Sequence, residues 1–377
     1  MNKKEIIKNK KRVNQKGFSL IELLAAMIIF LIVSVSIYGL LKVGTVDRNR
    51  AGDRSDIIKN ARMAIHLIGR DAFNAGFGYS RQGARVPDNF LKNTFNLKPD
   101  ADTERDLLTS IVTGDNLFGN TLLSDPSAKT DLIAFSVRDD NFNNGNVNDV
   151  CNPDPAVPCN GNPIAVKDVT AQGTTPRIET RLATGASPVR AFDLFLLEST
   201  NSQIAAIATA TTANTVSFSS PGSLGLNQQY DNSLLRKCTA IITTDCTDYS
   251  ATVMTKFNLV SYRVNADGTL IRTIYGNNRT GGSGGQIQEQ PVAYNIEDMQ
   301  ISYVLDTADA SVTDKPTAGP DGDVGTSDDI PSNNNLIRQI NIMIKVQSTE
   351  IDQQTREPLR ITLNASFSTR NLEYDVK

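Results

Sequence analysis

Histidine is almost missing from this chain. His66 is the only one in 377 residues. Catalysis by a Ser-His-Asp or Cys-His arrangement needs an imidazole beside its nucleophile, so a hydrolytic body has little to work with. Zinc is disfavoured for the same reason. The four cysteines, Cys151, Cys159, Cys238 and Cys246, form no CxxC pair that could hold the metal with that one histidine. Net positive charge is confined to one short stretch. The first 17 residues carry Lys3, Lys4, Lys8, Lys10, Lys11, Arg12 and Lys16 against the single acid Glu5, which leaves the remaining 360 residues at a net charge of −9. An acidic body argues against generic affinity for nucleic acid. Proline is absent from Phe18 through Val86, and no internal repeat stands out.

The cysteines fall as two pairs with the same eight-residue separation. An even number of cysteines behind a membrane-targeting segment points to disulfides in an oxidising compartment. Three pairings are possible. Cys151–Cys159 and Cys238–Cys246 close the shortest loops and so cost the least entropy; four free thiols are the alternative, and peptide mapping without reductant separates the cases.

Charge is also missing from Phe18 to Leu41, where Glu22 is the only charged residue in 24. A helix of that length crosses a hydrocarbon core of about 30 Å. The basic stretch before it should stay in the cytoplasm, which sends the body across the membrane. A secretory signal peptide would have a shorter apolar run and a small-x-small cleavage site, whereas Lys42-Val43-Gly44 follows here. A plain anchor leaves Glu22 unexplained, because a carboxylate in an apolar span costs about 2.5 kcal/mol or more.

Lys16-Gly17-Phe18-Ser19-Leu20-Ile21-Glu22-Leu23-Leu24 resembles the processing motif of type IV prepilins and of the pseudopilins of type II secretion. The resemblance implies cleavage between Gly17 and Phe18 by a prepilin peptidase, N-methylation of Phe18, and a role for Glu22 in assembly with other major and minor pilins. Chemically, cleavage would create an α-amine on Phe18 about one helical turn from Glu22. Two charges that are costly alone in lipid become tolerable as a pair, within one subunit or between neighbours.

The helical pattern continues beyond the apolar run. Ile57, Ala61, Ile65, Ile68 and Ala72 recur on one face. One helix is expected from about Phe18 to Asn74, stopping at Gly76 and Gly78, with Gly39, Gly44 and Gly52 as weak points; a separate second helix is the alternative. His66 is expected there as an ordinary polar or packed residue. Downstream, strands are predicted over 130–137, 191–198, 215–218, 256–264, 269–275, 296–305, 336–347 and 359–367. Asn265-Ala266-Asp267-Gly268 marks a tight hairpin, and residues 281–285 and 139–162 read as loops. The fold class is therefore α+β, a long N-terminal helix on an antiparallel β-sheet head, which is also the pilin plan.

Local phrases sharpen the resemblance. Arg70-Asp71 with Ala75-Gly76-Phe77, Pro291 to Tyr303, and Phe367 to Tyr374 are similar to PilW-type minor pilins. With the N-terminal motif and the basic stretch before it, they imply a leader over 1–17 that is removed, a helix over 18–78 with its transmembrane half at 18–41, and an extracytoplasmic head over 79–377. They also imply a single-pass protein of the inner membrane with its head in the periplasm, which then joins a pilus filament at the cell surface and takes part in initiating assembly near the tip. A J-type pseudopilin, or a tip adhesin or DNA-capture subunit, is the alternative. One further motif carries chemistry. Asp321, Asp323, Asp328 and Asp329 lie on the glycine-rich loop GPDGDVGTSDD, and hard oxygen ligands on such a loop suit Ca²⁺. It lacks the terminal Glu of an EF-hand, and a solvated acidic loop is the simpler reading. The stretch 139–149 is a weaker candidate of the same kind.

Overall fold

Helix formation dominates the first fifth of the chain because nothing there interrupts it. In the computed structural model a single α-helix, Leu20–Asn74, runs for 55 residues, about 80 Å at 1.5 Å per residue. Gly39, Gly44 and Gly52 do not break it. The chain leaves the helix at Ala75 and turns through Gly76 and Gly78, both at positive φ. The structure describes residues 17–80, 82–98, 105–140, 142, 164–172, 175–180, 189–199, 203–212, 215–219, 224–227, 251–276, 286–307, 311–352 and 355–369. All four cysteines, and nearly all of the 139–162 loop, lie outside the described residues.

The two halves of the helix have different surroundings. No side chain between Leu20 and Leu41 is buried. Further along, Ile57, Ala61, Ala64, Ile68, Gly69 and Ala72 are buried against the head. This is the face expected from the sequence with one adjustment: Ala64 and Gly69 lie in its centre, while Ile65 packs at its margin.

That face meets a four-stranded antiparallel sheet, ordered Val312–Thr313, Ile296–Leu305, Ile337–Ile351, Pro358–Ser368. Ile340, Ile342, Ile344 and Val346 are buried on the helix side of the third strand, and Asn341, Met343 and Lys345 alternate with them. Glu297, buried on the second strand, accepts hydrogen bonds from Lys345 Nζ and Arg360 Nε, both at 2.8 Å. Burial pushes its carboxyl up, but the bonds from Lys345 and Ser124 and the charges of Lys345 and Arg360 outweigh this and hold it below its ordinary value.

A second, larger sheet is organised on the strand Ala251–Val264. Its C-terminal half pairs with Thr130–Arg138 on one side and with Leu270–Tyr275 on the other. Its N-terminal half pairs with Leu194–Ser199 and Ile164–Gln172. The hairpin forms as expected, with Gly268 at φ 80° in the turn and its N–H bonded to Asn265 O. Strand Thr130–Arg138 is covered on both faces. Ile133 and Phe135 face the core shared with the long helix, while Leu132 and Ala134 face a second core with Phe95, Leu196 and Phe257. That double burial explains its unbroken apolar run.

Asp131 ties the two sheets together. Its carboxylate accepts from Asn116 N–H at 2.8 Å within the large sheet and from Ile301 N–H at 2.6 Å in the four-stranded sheet. Burial pushes this carboxyl up to about 7, against those two donors and with help from the charges of Asp115 and Asp298. A folded-state value raised above the unfolded one favours folding fully only below the unfolded value, near 4, and the contribution is lost as pH rises towards 7. We expect the stability of Asp131→Asn relative to wild type to improve across that interval, by on the order of a few kcal/mol. Urea unfolding at pH 4, 5.5 and 7.5 measures it; a difference that does not change with pH would show that folding leaves the Asp131 carboxyl unshifted.

Candidate functional site

The residues predicted to be processed lie at the exposed tip of the long helix. Gly17, Phe18 and Ser19 precede its first turn, and the Phe18 side chain is 87% exposed. Ser19 is the N-cap. Glu22 Oε2 accepts from the Ser19 N–H at 3.0 Å, so the one carboxylate of the apolar span reaches back over the first turn. This is the position where a helix favours negative charge, because its first N–H groups have no intrahelical partner. The same geometry keeps the carboxylate within one residue of the Phe18 nitrogen, the atom that cleavage after Gly17 would turn into an amine.

The other end of the helix is fixed to the head by a polar cluster. Asp71 Oδ2 accepts from Tyr262 Oη at 2.6 Å and from Arg272 Nε at 3.0 Å, and its Oδ1 accepts from Arg70 Nη2 at 2.8 Å. Tyr262 and Arg272 stand opposite each other in the Ala251–Tyr275 hairpin. Burial pushes the Tyr262 hydroxyl above its ordinary value and the charge of Asp71 pushes it further, so it stays protonated and donates. Sequence reasoning singled out Arg70-Asp71 as a phrase but not its partners, which lie about 190 residues away and carry no local signal.

Next to this cluster, Gly69 brings the helix backbone against the Phe367 ring; a Cβ at this position would overlap that ring. Phe367 opens one of the phrases that shaped the resemblance, Gly69 immediately precedes another, and the fold puts the two in contact. His66 is exposed on the helix.

The acidic loop is closed on itself. Asp321 N–H donates to Asp328 Oδ2 at 3.2 Å, Asp323 N–H to Asp321 Oδ1 at 2.9 Å, and Gly325 N–H to Asp329 Oδ2 at 2.7 Å. Bonds from Thr326 and from the Asp321 N–H hold the Asp328 carboxyl below its ordinary value. Gly325, Thr326 and Asp329 also line a cavity of ≈ 200 Å³ with Leu97, Val112 and Lys315. Among the described residues no three His, Cys, Asp or Glu side chains converge as a metal-binding group. A Ca²⁺ ion would therefore have to draw these carboxylates away from their N–H donors.

Residues 12–38 match the prokaryotic N-terminal methylation motif. No curated protein and no solved structure matches the chain. The motif, together with the apolar helix and the antiparallel head, supports a type IV pilin-like or pseudopilin subunit. It implies processing by a prepilin peptidase, assembly with other pilins, and anchoring in the inner membrane.

The seam between helix and head is open to a direct test. Gly69→Ala should destabilise the protein by about 1–3 kcal/mol through overpacking against Phe367, despite the higher helix propensity of alanine. Adding Phe367→Leu should recover part of that loss. Thermal unfolding of the single and double variants decides; no loss in Gly69→Ala would mean that the ring moves aside at no cost.

Proposed function

We propose that this protein is a minor pilin of PilW type, which takes part in initiating type IV pilus assembly near the filament tip, together with other minor pilins. One observation carries the reading: a single helix whose first half is apolar and bare, with a processing motif at its tip, and whose second half is built into the core of the head. In the aqueous phase so much bare apolar surface is unfavourable. A bilayer before assembly, and the helices of other subunits after it, would both cover it.

In this reading the peptidase cuts after Gly17, Phe18 is methylated, and the Phe18 amine meets Glu22 of its own or a neighbouring helix. Removing the carboxylate should leave membrane insertion intact, since the span only becomes more apolar. The prediction is that the mature chain begins at Phe18, and that Glu22→Ala is inserted and cleaved normally but is depleted from sheared filaments. Glu22→Asp should be closest to wild type. N-terminal sequencing of membrane-extracted protein, and the ratio of filament to membrane pools at equal expression, measure both. A chain starting at Met1, or equal incorporation of Glu22→Ala, would refute the processing and the assembly role respectively. If the protein is isolated with a secretion pseudopilus instead of a pilus, the J-type reading replaces the PilW-type one.

Calcium at Asp321, Asp323, Asp328 and Asp329 is a separate proposal, resting on four carboxylates in one glycine-rich loop. If the loop exchanges its N–H donors for the cation, millimolar Ca²⁺ raises the melting temperature of the protein relative to EDTA by mass action. An unchanged melting temperature removes the proposal.

A further inference from the structure

Lys256 is buried, 4% exposed, with its side-chain nitrogen between two carboxylates. Nζ lies 3.1 Å from Asp193 Oδ1 and 3.5 Å from Asp139 Oδ2. Three adjacent strands bring these groups together. Lys256 lies opposite Phe195 in the register of the large sheet, and Asp193 stands immediately before that neighbouring strand. Asp139 follows Thr130–Arg138 on the other side, and its N–H donates to Lys256 O at 3.0 Å. Phe142 covers Nζ with its ring centroid 4.9 Å away, and packs edge-on against Phe195 at 6.0 Å. Nothing in the N-terminal assembly chemistry uses this cluster.

Lys256 and Asp193 are both buried and Asp139 is nearly so, and taking these charges out of water carries a desolvation cost that their pairing offsets only in part. The arrangement does have the parts of a condensation site. Burial pushes the Asp193 carboxyl up from its ordinary range, against the pull of Lys256, and so favours its neutral form. Its Oδ2 accepts the Arg190 backbone N–H at 2.9 Å, which polarises that oxygen as a carbonyl and leaves Oδ1, the atom facing Nζ, as the hydroxyl. The aromatic wall excludes the water that would compete, and fixed neighbours replace a bimolecular encounter.

We propose that Lys256 and Asp193 condense into an intramolecular amide, with Asp139 as the proton carrier. A proton passes from the Lys256 ammonium to the carboxylates, leaving a neutral amine facing a neutral acid. The Nζ lone pair attacks Asp193 Cγ, and the developing charge on Oδ2 is held by the Arg190 N–H. Asp139 takes a proton from the attacking nitrogen and delivers it to Oδ1. The Cγ–Oδ1 bond breaks, one water leaves, and an Nζ–Cγ amide remains. No oxidant, metal or nucleotide is needed. The product would staple the central strand of the large sheet to the start of its neighbour and enclose the chain from 194 to 255.

Mass spectrometry of the full chain, extracted from membranes, reduced and alkylated, tests this. The expected result is a protein one water lighter than its sequence, whatever its N-terminus. Trypsin should fail to cut after Lys256, and a branched peptide should join Lys256 to Asp193. Lys256→Arg keeps the charge and should restore the full mass. Asp193→Asn should still form the link, with loss of ammonia in place of water. Asp139→Ala should remain unlinked. A wild-type chain at its full sequence mass, cleaved at Lys256, overturns the proposal. A link that forms equally in Asp139→Ala overturns the role given to Asp139.

Discussion

The close approach of the long helix to the four-stranded sheet sets the rest of the architecture. Large side chains on both surfaces would hold helix and sheet apart. Here the helix presents Ala61, Ala64, Gly69 and Ala72, with Ile57 and Ile68 as its only large buried side chains. The sheet answers with Ile340, Ile342, Ile344 and Val346. Small against large lets the surfaces interdigitate at interior packing density. It also fixes register, since Phe367 fits only where the helix has no Cβ. At roughly 25 cal/mol per Å² of apolar area, a seam of this kind is worth several fully buried aliphatic side chains, and each of them depends on that fit.

The large sheet extends this core outward in layers. Strand Thr130–Arg138 belongs to two cores at once, so a change at Phe135 acts on the helix side and a change at Leu132 on the far side. The polar ties follow the same order. Asp71 joins helix to hairpin, and Asp131 joins sheet to sheet. Glu297 joins the strands of the helix-facing sheet to the Ser124 segment. Each acid is buried or nearly so and is satisfied by donors from more than one element. Such groups specify a unique arrangement because any other one leaves them unpaired.

What could be read from the chain divides along the range of the interactions. The helix, its buried face and its end at Gly76 were legible because they are set by spacing within a few residues. So were Thr130–Arg138, Ile296–Leu305, Ile337–Ile351 and Pro358–Ser368, where alternation or an apolar run declares burial. Ile287–Ala293 was missed; it is an edge strand of mixed polarity with a proline at 291, and only its pairing with Leu270–Tyr275 makes it a strand. Ile111–Phe118 was hidden by Gly114, Asp115 and Asn116, which discourage strands locally and are held by the neighbouring Thr130–Arg138. The predicted strand at 191–198 begins later, at Leu194, because Ala191 and Phe192 form a turn with Phe192 at φ 73°. The processing residues were legible as a motif. The clusters around Asp71 and Lys256 were not, because their members are spread over the chain and meet only once the sheets exist.

The helix has three mechanical zones, and its glycines are not spread evenly among them. Gly39 lies in the apolar half, Gly44 and Gly52 lie in the stretch before the first buried residue, Ile57, and a Cβ at any of the three would meet open space. Gly69 lies inside the seam, where packing holds it. Glycine weakens a helix by about 1 kcal/mol relative to alanine when nothing packs on it. Bending compliance is therefore concentrated in the collar between the bare rod and the head. A load on the head reaches the helix through the seam and the Arg50–Asp352 ion pair, so it is relieved most readily at Gly44, on the rod side of both. The head can then tilt against its anchor without loss of its own fold.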